Sequence, residues 1–305
     1  MFREAISYPT RPPEGGRSII IGGLLLVVFV AFIATVALGP PRGYLAVLGV
    51  LPWLLVRGYH VRVIRTTIGR DRPTPPRFDD VPRLLRDGLI AAIVSIAYLS
   101  PGGAVLGPLI AVRVSGTDLS TLLSELAVPK FLSAPVVFVA GILAVLGVMY
   151  VIGALYVIPI AIARYAHSGR PRAAFDLRTI IAGSMTEDYI ISWATSVVLQ
   201  VFLLPVASLL QILLVGFFFH FIVSTGVRYC YGQGVGAALA LDPVPVLHER
   251  SDPDDWDLPL AVQRIERVDR SRGETTNEAG TERVPRPAIR RVEEDTNRDR
   301  DRPGR

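Results

Sequence analysis

The stretch GYHVRVIRTTIGRDRPTPPRFDD (Gly58–Asp80) lies between two strongly apolar regions and holds five arginines. The chain has 305 residues, of which 50% are hydrophobic and 19% are charged, and its mean hydropathy is +0.43. A soluble protein usually carries about 25% charged residues. Arginines beside apolar segments are typical of the cytoplasmic loops of membrane proteins. The stretch therefore predicts a loop at the membrane surface, between two membrane-spanning helices.

The apolar regions around this loop predict an all-α, polytopic transmembrane helical bundle. A spanning helix needs about 20 mainly apolar residues, and the segments that are long enough are Ser18–Leu38, Gly43–Val63, Gly88–Val112, Phe131–Ala163 and Tyr189–Arg228. The last would be about 60 Å long as one helix, twice the hydrocarbon thickness. It is therefore predicted to be two helices that turn near Leu204–Ser208, where Pro205 lies. The total is about six spans, arranged as three helical hairpins.

The loops between these segments are alternately rich and poor in basic residues. The rich ones are the N-terminal flank, loop 57–87 with eight arginines, and loop 164–188 with four. Of the poor ones, the first connection holds only Arg42, loop 113–130 holds Arg113 and Lys130, and the turn near Pro205 holds no basic residue. Basic loops stay in the cytoplasm, so both termini are predicted to be cytoplasmic in a multi-pass protein of the cell (plasma) membrane. A cleaved signal peptide is the alternative for the first segment, although its apolar stretch exceeds the usual length of about 7–15 residues.

The same features recur after the second and the fourth predicted spans, which predicts an internal repeat. Each connector has an arginine, a glycine and a Phe-Asp pair, at Arg65, Gly69, Phe78, Asp79 and Asp80 in the first and at Arg164, Gly169, Phe175 and Asp176 in the second. A weaker copy begins at Arg228. Residues 1–241 are therefore predicted to form a transmembrane domain with two or three hairpin repeats.

The connector residues first suggest a local structural role. Glycine suits the left-handed residue that ends a helix, and aspartate suits the N-cap of the next helix. Each phenylalanine is expected to lie in the head-group layer or under the bundle. In the alternative interpretation, Asp79, Asp80 and Asp176 face a cytoplasmic cavity with the arginines and bind an anionic or metallic ligand.

Three stretches resemble the domain of unknown function 4013 family: Ala5–Leu26, Gly58–Tyr98 and Ile158–Asp176. The most distinctive motif is Gly-Tyr-x-x-Arg, followed by a glycine and then by Pro-Pro-x-Phe-Asp-Asp, and the likeness covers roughly residues 1–240. The resemblance implies an archaeal, multi-pass membrane protein without an assigned activity, and it supplies no catalytic residues. The second connector lacks the second aspartate, which weakens the idea of a symmetric acidic site.

Two places within the predicted spans are candidates for a solute site. Ser100, Pro101, Gly102 and Gly103 interrupt the third segment. Proline breaks or bends a helix, so this segment is predicted to be a kinked span or a short helix followed by a re-entrant piece, where free backbone groups suit an ion. His220 is interpreted either as a neutral imidazole hydrogen-bonded to another helix or as a proton relay or ligand contact.

The sequence contains no motif for catalysis, a cofactor or a metal. Gly-x-x-x-x-Gly-Lys and His-Glu-x-x-His are both absent, and a single cysteine, Cys230, cannot form a zinc cluster. No Asp or Glu lies within a predicted span, whereas proton- and cation-coupled transporters usually use buried carboxylates. We therefore expect no enzyme activity, no cofactor and no metal.

Charge divides the chain into two regions. Residues 242–305 hold 16 acidic residues and 13 arginines, which leaves 19 basic and 11 acidic residues in 1–241. The tail is predicted to be disordered and cytoplasmic, because a mixed-charge segment has little to bury. The basic surplus of the body suits membrane flanks better than nucleic acid, so the expected partners are the lipid bilayer and its anionic head groups.

The leading functional hypothesis is a non-enzymatic membrane scaffold or membrane-organising protein. It rests on the lack of carboxylates in the spans and on the basic cytoplasmic loops. The alternative is a channel or permease for a small solute, using the interrupted third span and His220.

Overall fold

The computed structural model describes residues 2–116, 121 and 129–244; the predicted tail from residue 245 onward lies outside this part. All regular secondary structure in the described residues is helical, which confirms the all-α class. The α-helices are α1 Phe2–Ser7, α2 Gly15–Ala34, α3 Val50–Thr67, α4 Val81–Val114, α5 Lys130–Ser168, α6 Leu177–Ser184, α7 Glu187–Leu210 and α8 Val215–Ala238. Short 3-10 segments extend or join them at Tyr8–Thr10, Thr35–Leu38, Arg42–Gly49, Pro171–Phe175 and Gln211–Leu213.

Five helical segments are long and apolar enough to cross a membrane. They are Gly15–Leu38, Arg42–Thr67, Val81–Val114, Ala134–Ser168 and Glu187–Leu213, and they contain α2, α3, α4, α5 and α7. The remaining long helix, α8, is not one of these five segments, and it carries polar residues such as His220 and Arg228. It is packed among α7, α3 and α2, and a helix enclosed by other helices does not need a lipid-facing surface.

The six long helices run alternately away from and towards one end of the bundle. α2, α4 and α7 begin at this end, and α3, α5 and α8 finish there. At this end Gly69, which follows α3, lies against Leu241 and Gly236 near the end of α8. Ser18, near the start of α2, donates a hydrogen bond to the carbonyl oxygen of Pro76. We call it the connector end, because both arginine-rich connectors lie there.

α4 is one continuous helix from Val81 to Val114, so the re-entrant alternative for the third segment is wrong. Pro101 has no N–H to donate to the Ala97 carbonyl oxygen. The hydroxyl of Ser100 donates to that oxygen instead, at 3.0 Å. The hydroxyl of Tyr150, on α5, also donates to the carbonyl oxygen of Tyr98 at 3.0 Å. Such donors allow proline inside a membrane helix, because they satisfy backbone groups that the proline leaves free.

The final turn lies at Gln211–Leu214, and the predicted position near Leu204–Ser208 is wrong. Pro205 is inside α7. A turn at Pro205 would leave α7 only about 27 Å long, shorter than the roughly 30 Å of hydrocarbon. The observed turn is possible because residue 216 is glycine. A Cβ atom on Gly216 would lie 2.1 Å from the backbone nitrogen of Gln211.

The buried core lies mostly near the connector end. Both clusters of buried apolar residues draw on the connector-end halves of the helices, including Tyr59, Leu84 and Tyr165. α3 and α4 cross there in close contact, and a Cβ atom on Gly58 would lie 1.9 Å from the carbonyl oxygen of Leu84. Farther from this end, large apolar side chains such as Phe138 are exposed, as expected of a surface that faces lipid.

Candidate functional site

The first connector, residues 68–80, is folded against the bundle. It begins after α3 with Gly69, whose φ is 67°, the left-handed conformation that favours glycine. Phe78 stacks on Tyr59 of α3, with ring centroids 4.2 Å apart and planes within 2° of parallel. Phe78 therefore lies under the bundle, which was one of its two expected positions.

The two aspartates of the first connector have separate structural roles. Asp79 forms an ion pair with Arg62 of α3. Asp80 is the N-cap of α4, and its Oδ1 accepts a hydrogen bond from the backbone N–H of Arg83 at 3.3 Å. The connector thus links the end of one helix to the beginning of the next through these two carboxylates.

The second connector, residues 169–176, has the same parts in a shorter chain. Gly169 again has a left-handed φ, 68°, and Phe175 stacks on Tyr98 of α4 with centroids 5.9 Å apart. Asp176 is both the ion-pair partner and the N-cap. Its Oδ2 lies 3.0 Å from Nη2 of Arg164 on α5, and the carboxylate accepts hydrogen bonds from the N–H and the hydroxyl of Thr179. The Thr179 hydrogen bonds, together with the Arg164 guanidinium, lower the pKa of Asp176 below its usual value.

Arg65 differs in its contacts from Arg164, its counterpart in the second connector. Its guanidinium lies inside the bundle, where Nη1 is 3.0 Å from Asp87 of α4 and Nε donates to the carbonyl oxygen of Ala166 at 2.8 Å. The Tyr165 hydroxyl also donates to Asp87, at 2.5 Å. Asp87 is therefore a buried carboxylate that joins α3, α4 and α5. Sequence reasoning missed it because it stands one residue before the predicted start of the third span.

The N-terminal arm, residues 2–14, packs against the first connector. The side chain of Tyr8 is fully buried, and its hydroxyl donates to the carbonyl oxygen of Thr74 at 3.4 Å. Arg11 donates to the carbonyl oxygen of Pro73 at 3.1 Å, and Glu14 pairs with Arg77 at 2.8 Å. Burial raises the pKa of the Tyr8 hydroxyl, so this tyrosine stays a neutral donor.

The end of α8 is tied to the same connector. The amide of Gln233 donates to the backbone oxygens of Thr67 and Arg70, each at 2.8 Å. Arg70 in turn donates to the carbonyl oxygen of Val244 at 3.0 Å. The N-terminal arm, the first connector and the end of α8 thus form one hydrogen-bonded assembly at the connector end.

The outer surface of the connector end is basic and also partly apolar. Its exposed arginines are Arg3, Arg17, Arg72, Arg77, Arg83, Arg86, Arg170, Arg172 and Arg178. Exposed apolar side chains lie close to these arginines in sequence. Phe175, Leu177 and Ile181 are within three residues of Arg178, and each is about half exposed. Arg170 and Arg172 line a shallow concave surface on the second connector. This combination can bind anions and enter a head-group layer.

The candidates inside the bundle do not form one site. Gly102 packs on Val151 of α5, whereas Ser100, Pro101 and Gly103 are exposed on α4. His220 lies on α8, which packs on other helices, and its Nδ1 is enclosed without a hydrogen-bond partner among the described residues. Within the same part of the chain, no three His, Cys, Asp or Glu side chains are grouped as a metal site requires.

A second polar region inside the bundle was not predicted. His60 on α3 faces Ser224 on α8, with 3.3 Å between Ser224 Oγ and His60 Nε2, and Arg57, one turn away on α3, donates to the Ala91 carbonyl oxygen of α4. The signal was present in the sequence as polar residues spaced three or four apart, the spacing of one helix face. The sequence analysis placed Arg57 at the start of loop 57–87 and Arg228 at the start of a weak connector copy, and so it did not connect them with His220.

A family model described as "Protein of unknown function (DUF4013)" matches residues 42–212, more than half of the chain. The matched region begins before α3 and ends after α7, and so it contains both connectors. No curated protein and no solved structure matches the chain.

Proposed function

Because the chain belongs to the domain of unknown function 4013 family, which carries no described activity, we propose its function from the connector end. The protein is an integral protein of the cell membrane that crosses the bilayer six times. Its connector end faces the cytoplasm and binds anionic head groups. In this way it organises lipids, or proteins at the membrane surface, as a scaffold and not as an enzyme.

Six crossings follow if α8 is counted with the five apolar segments. α8 has 24 residues and is therefore about 36 Å long, enough for a hydrocarbon layer of about 30 Å. It runs antiparallel to α7 and returns to the connector end. An even number of crossings places the N-terminal arm and the end of α8 on the same side.

The distribution of arginines supports a cytoplasmic connector end. The N-terminal arm and both connectors bring their arginines to this end, while the turns at the other end contribute Arg42 and Arg113 from the described residues. Because short loops rich in arginine stay in the cytoplasm, the connector end is the cytoplasmic one.

The observation that carries the proposal is the pairing of exposed arginines with exposed apolar side chains at the connector end. α6 buries Ile180 and leaves Leu177 and Ile181 exposed beside Arg178. α1 has the same pattern, with Phe2 and Ile6 exposed near Arg3. A short helix of this kind lies in the interface, with its apolar side chains among the acyl chains and its arginines at the head-group phosphates.

A scaffold role, and not catalysis, fits the way the connector side chains are used. Asp79, Asp80 and Asp176 serve as ion-pair partners or helix caps. These contacts hold the connector end in one shape, which is what a binding surface requires.

The lipid composition around the reconstituted protein tests this proposal. The full chain is placed in vesicles of equal phosphatidylglycerol and phosphatidylcholine, extracted with its neighbouring lipids into polymer discs, and measured by mass spectrometry. We expect phosphatidylglycerol to be enriched over the bulk ratio. Arg170→Gln, Arg172→Gln and Arg178→Gln together remove most of this enrichment, because each arginine near an anionic surface contributes about 1 kcal/mol.

The matched control is Arg42→Gln with Arg113→Gln, which changes arginines at the opposite end and keeps the enrichment. If the wild-type chain collects no phosphatidylglycerol, or if the triple variant collects as much as the wild type, the proposal is wrong.

A permease for a small anion is the second candidate, favoured by the polar side chains that face each other on α3 and α8. A liposome flux assay separates the two functions. A scaffold leaves vesicles as tight as protein-free ones, whereas a permease gives anion flux that Arg228→Gln stops.

A further inference from the structure

The second connector and the start of α6 carry arginine charge that is not balanced by carboxylates. Three exposed arginines lie within nine residues: Arg170, Arg172 and Arg178. None of them forms an ion pair within the part of the chain that the structure describes. The carboxylate of this connector, Asp176, is already occupied by Arg164 and Thr179. The next carboxylates along the chain, Glu187 and Asp188, begin α7 and follow only after α6.

The first connector differs in this respect. Its Arg77 pairs with Glu14 at 2.8 Å. The exposed Asp71 stands next to Arg72, and the exposed Asp80 precedes the arginines at the start of α4. Carboxylates close to arginines lower the positive potential that an approaching anion meets. The second connector is therefore the part of the connector end that is better suited to an anionic ligand.

Two of the unpaired arginines share one concave surface. Arg170 and Arg172 line it together with Pro171 and Ala173. The N–H of Ala173 donates to the carbonyl oxygen of Arg170 at 3.0 Å, which closes a turn with proline in its second position. Proline has a fixed φ and favours this position of a turn. The backbone between the two arginines therefore has one defined conformation.

This turn is also fixed to the bundle. The hydroxyl of Tyr98, on α4, donates to the carbonyl oxygen of Ala174 at 2.8 Å, and Ala174 is fully buried. Phe175 stacks on the same tyrosine ring. A surface held in this way loses little conformational freedom when it binds a ligand.

The number of guanidinium groups indicates the kind of anion that fits. One guanidinium can pair with two oxygens of a phosphate at once. The head group of phosphatidylglycerol has a single phosphate, so it would occupy Arg170 or Arg172 and leave the other arginine without a partner. A ligand with two phosphate groups in one molecule would occupy both.

The apolar side chains that follow the connector favour a lipid over a soluble diphosphate. Leu177, Ile181 and Met185 are 55%, 52% and 72% exposed. Acyl chains would cover such side chains when a short amphipathic helix lies in the interface, whereas a soluble anion would leave them in water.

We propose that the second connector is a binding site for a lipid with two phosphate groups, of the diphosphatidylglycerol class. Arg170 and Arg172 each pair with one phosphate, and α6 lies against the acyl chains. This inference rests on the proposed function, because it names the head group that the cytoplasmic surface binds most tightly.

Competition between lipids around the reconstituted full chain tests the site. The vesicles contain phosphatidylcholine with phosphatidylglycerol and diphosphatidylglycerol, and the last two contribute equal numbers of phosphates. Polymer discs are extracted, and their lipids are measured by mass spectrometry. Around the wild type we expect diphosphatidylglycerol to be enriched over phosphatidylglycerol about 5-fold, because one further arginine at an anionic surface changes the binding constant by about that factor.

Two double variants locate the preference. Arg170→Gln with Arg172→Gln should return the ratio of the two anionic lipids to its bulk value. Both side chains are exposed, so the substitutions do not touch the core. The matched control is Arg72→Gln with Arg83→Gln, which removes the same charge near the first connector. The control should keep the wild-type ratio, even if it lowers the total amount of anionic lipid.

The outcomes separate this site from the proposed function. Enrichment of both anionic lipids over phosphatidylcholine, in their bulk ratio, would overturn the two-phosphate site and leave the proposed function standing. Enrichment of neither would overturn both. An equal loss of preference in the two double variants would show that total charge sets the ratio, which also contradicts the site. Inorganic pyrophosphate should not displace the lipid, and displacement would assign the site to a soluble diphosphate instead.

Discussion

The two ends of this bundle are held together in different ways. At the connector end, hydrogen bonds and ion pairs join almost every element: Arg65 links α3 to α4 and α5, and Gln233 links α8 to the first connector. Away from it, helices meet through small and apolar residues, such as Gly147 against Leu106, and large side chains point outward. The difference shows that polar contacts define one end, while lipid can complete the other.

The largest test of this comparison is to remove the buried carboxylate from the connector half. Asp87→Ala leaves Arg65 without its ion pair and Tyr165 without its acceptor. Breaking a buried pair in this way costs about 3–5 kcal/mol. Reversible unfolding in mixed detergent micelles would measure the loss in free energy of unfolding. Asp188→Ala, which removes an exposed carboxylate, is the control and should change it by less than about 0.5 kcal/mol.

A second pair of variants compares the tight crossing with the open face. Gly58→Ala places a methyl group 1.9 Å from the Leu84 carbonyl oxygen and should destabilise by about 1–3 kcal/mol, because the two helix backbones must separate. Gly103→Ala meets nothing within 4 Å and should stabilise by about 0.4–1 kcal/mol. Shifts of the thermal unfolding midpoint in opposite directions from the wild type would support the comparison. Equal destabilisation would show that the two faces do not differ.

A third comparison concerns the two connector phenylalanines. Phe78 lies between Tyr59 and Phe221, at 4.2 and 6.2 Å, and Phe78→Ala should cost about 3 kcal/mol. Phe175 meets Tyr98 at 5.9 Å and is 46% exposed, so Phe175→Ala should cost about 1 kcal/mol. The same unfolding assay measures the loss in free energy of unfolding for both variants. A larger loss for Phe175→Ala would mean that the second connector is the better-packed one.

The smallest expected effect is a pH dependence in the second connector. Because the pKa of Asp176 is lowered, its stabilising contribution is present above the unfolded value of about 3.9 and is lost as pH falls through the folded pKa. We expect amide exchange at Thr179 to accelerate below about pH 4. Asp176→Asn keeps a side-chain oxygen that can accept from Thr179 but does not titrate, so it should remove the dependence of this exchange on pH in the acidic range. An acid-induced increase that persists in Asp176→Asn would assign the effect to another group.

Features determined by neighbouring residues could be predicted from the sequence. Gly69 and Gly169 follow α3 and α5, and Asp80 and Asp176 are the caps of α4 and α6, because capping depends on residues only a few positions apart. Length and composition likewise predicted the five apolar helical segments that are found. The prediction was about six spans, and the additional predicted span coincides with α8.

Features determined by contacts between helices could not be predicted in the same way. Pro101 was expected to bend or interrupt α4, but the Ser100 hydroxyl supplies the donor that the Ala97 carbonyl oxygen lacks, and Tyr150 of α5 donates to the neighbouring Tyr98 carbonyl oxygen. The burial of Asp87 depends on Arg65 and Tyr165, which are 22 and 78 residues away in sequence. The contact between His60 and Ser224 depends on how α3 packs on α8. None of these pairs is visible from periodicity within one segment.

Labelling of single cysteines in intact cells tests most directly the central claim that the connector end faces the cytoplasm. The only native cysteine, Cys230, is buried and is replaced by Cys230→Ser. Thr74→Cys then reports on the first connector and Val114→Cys on the opposite end, where the side chain is 82% exposed. The account predicts that a membrane-impermeant maleimide labels Val114→Cys in intact cells, and Thr74→Cys only after permeabilisation. Labelling of Thr74→Cys in intact cells would contradict it.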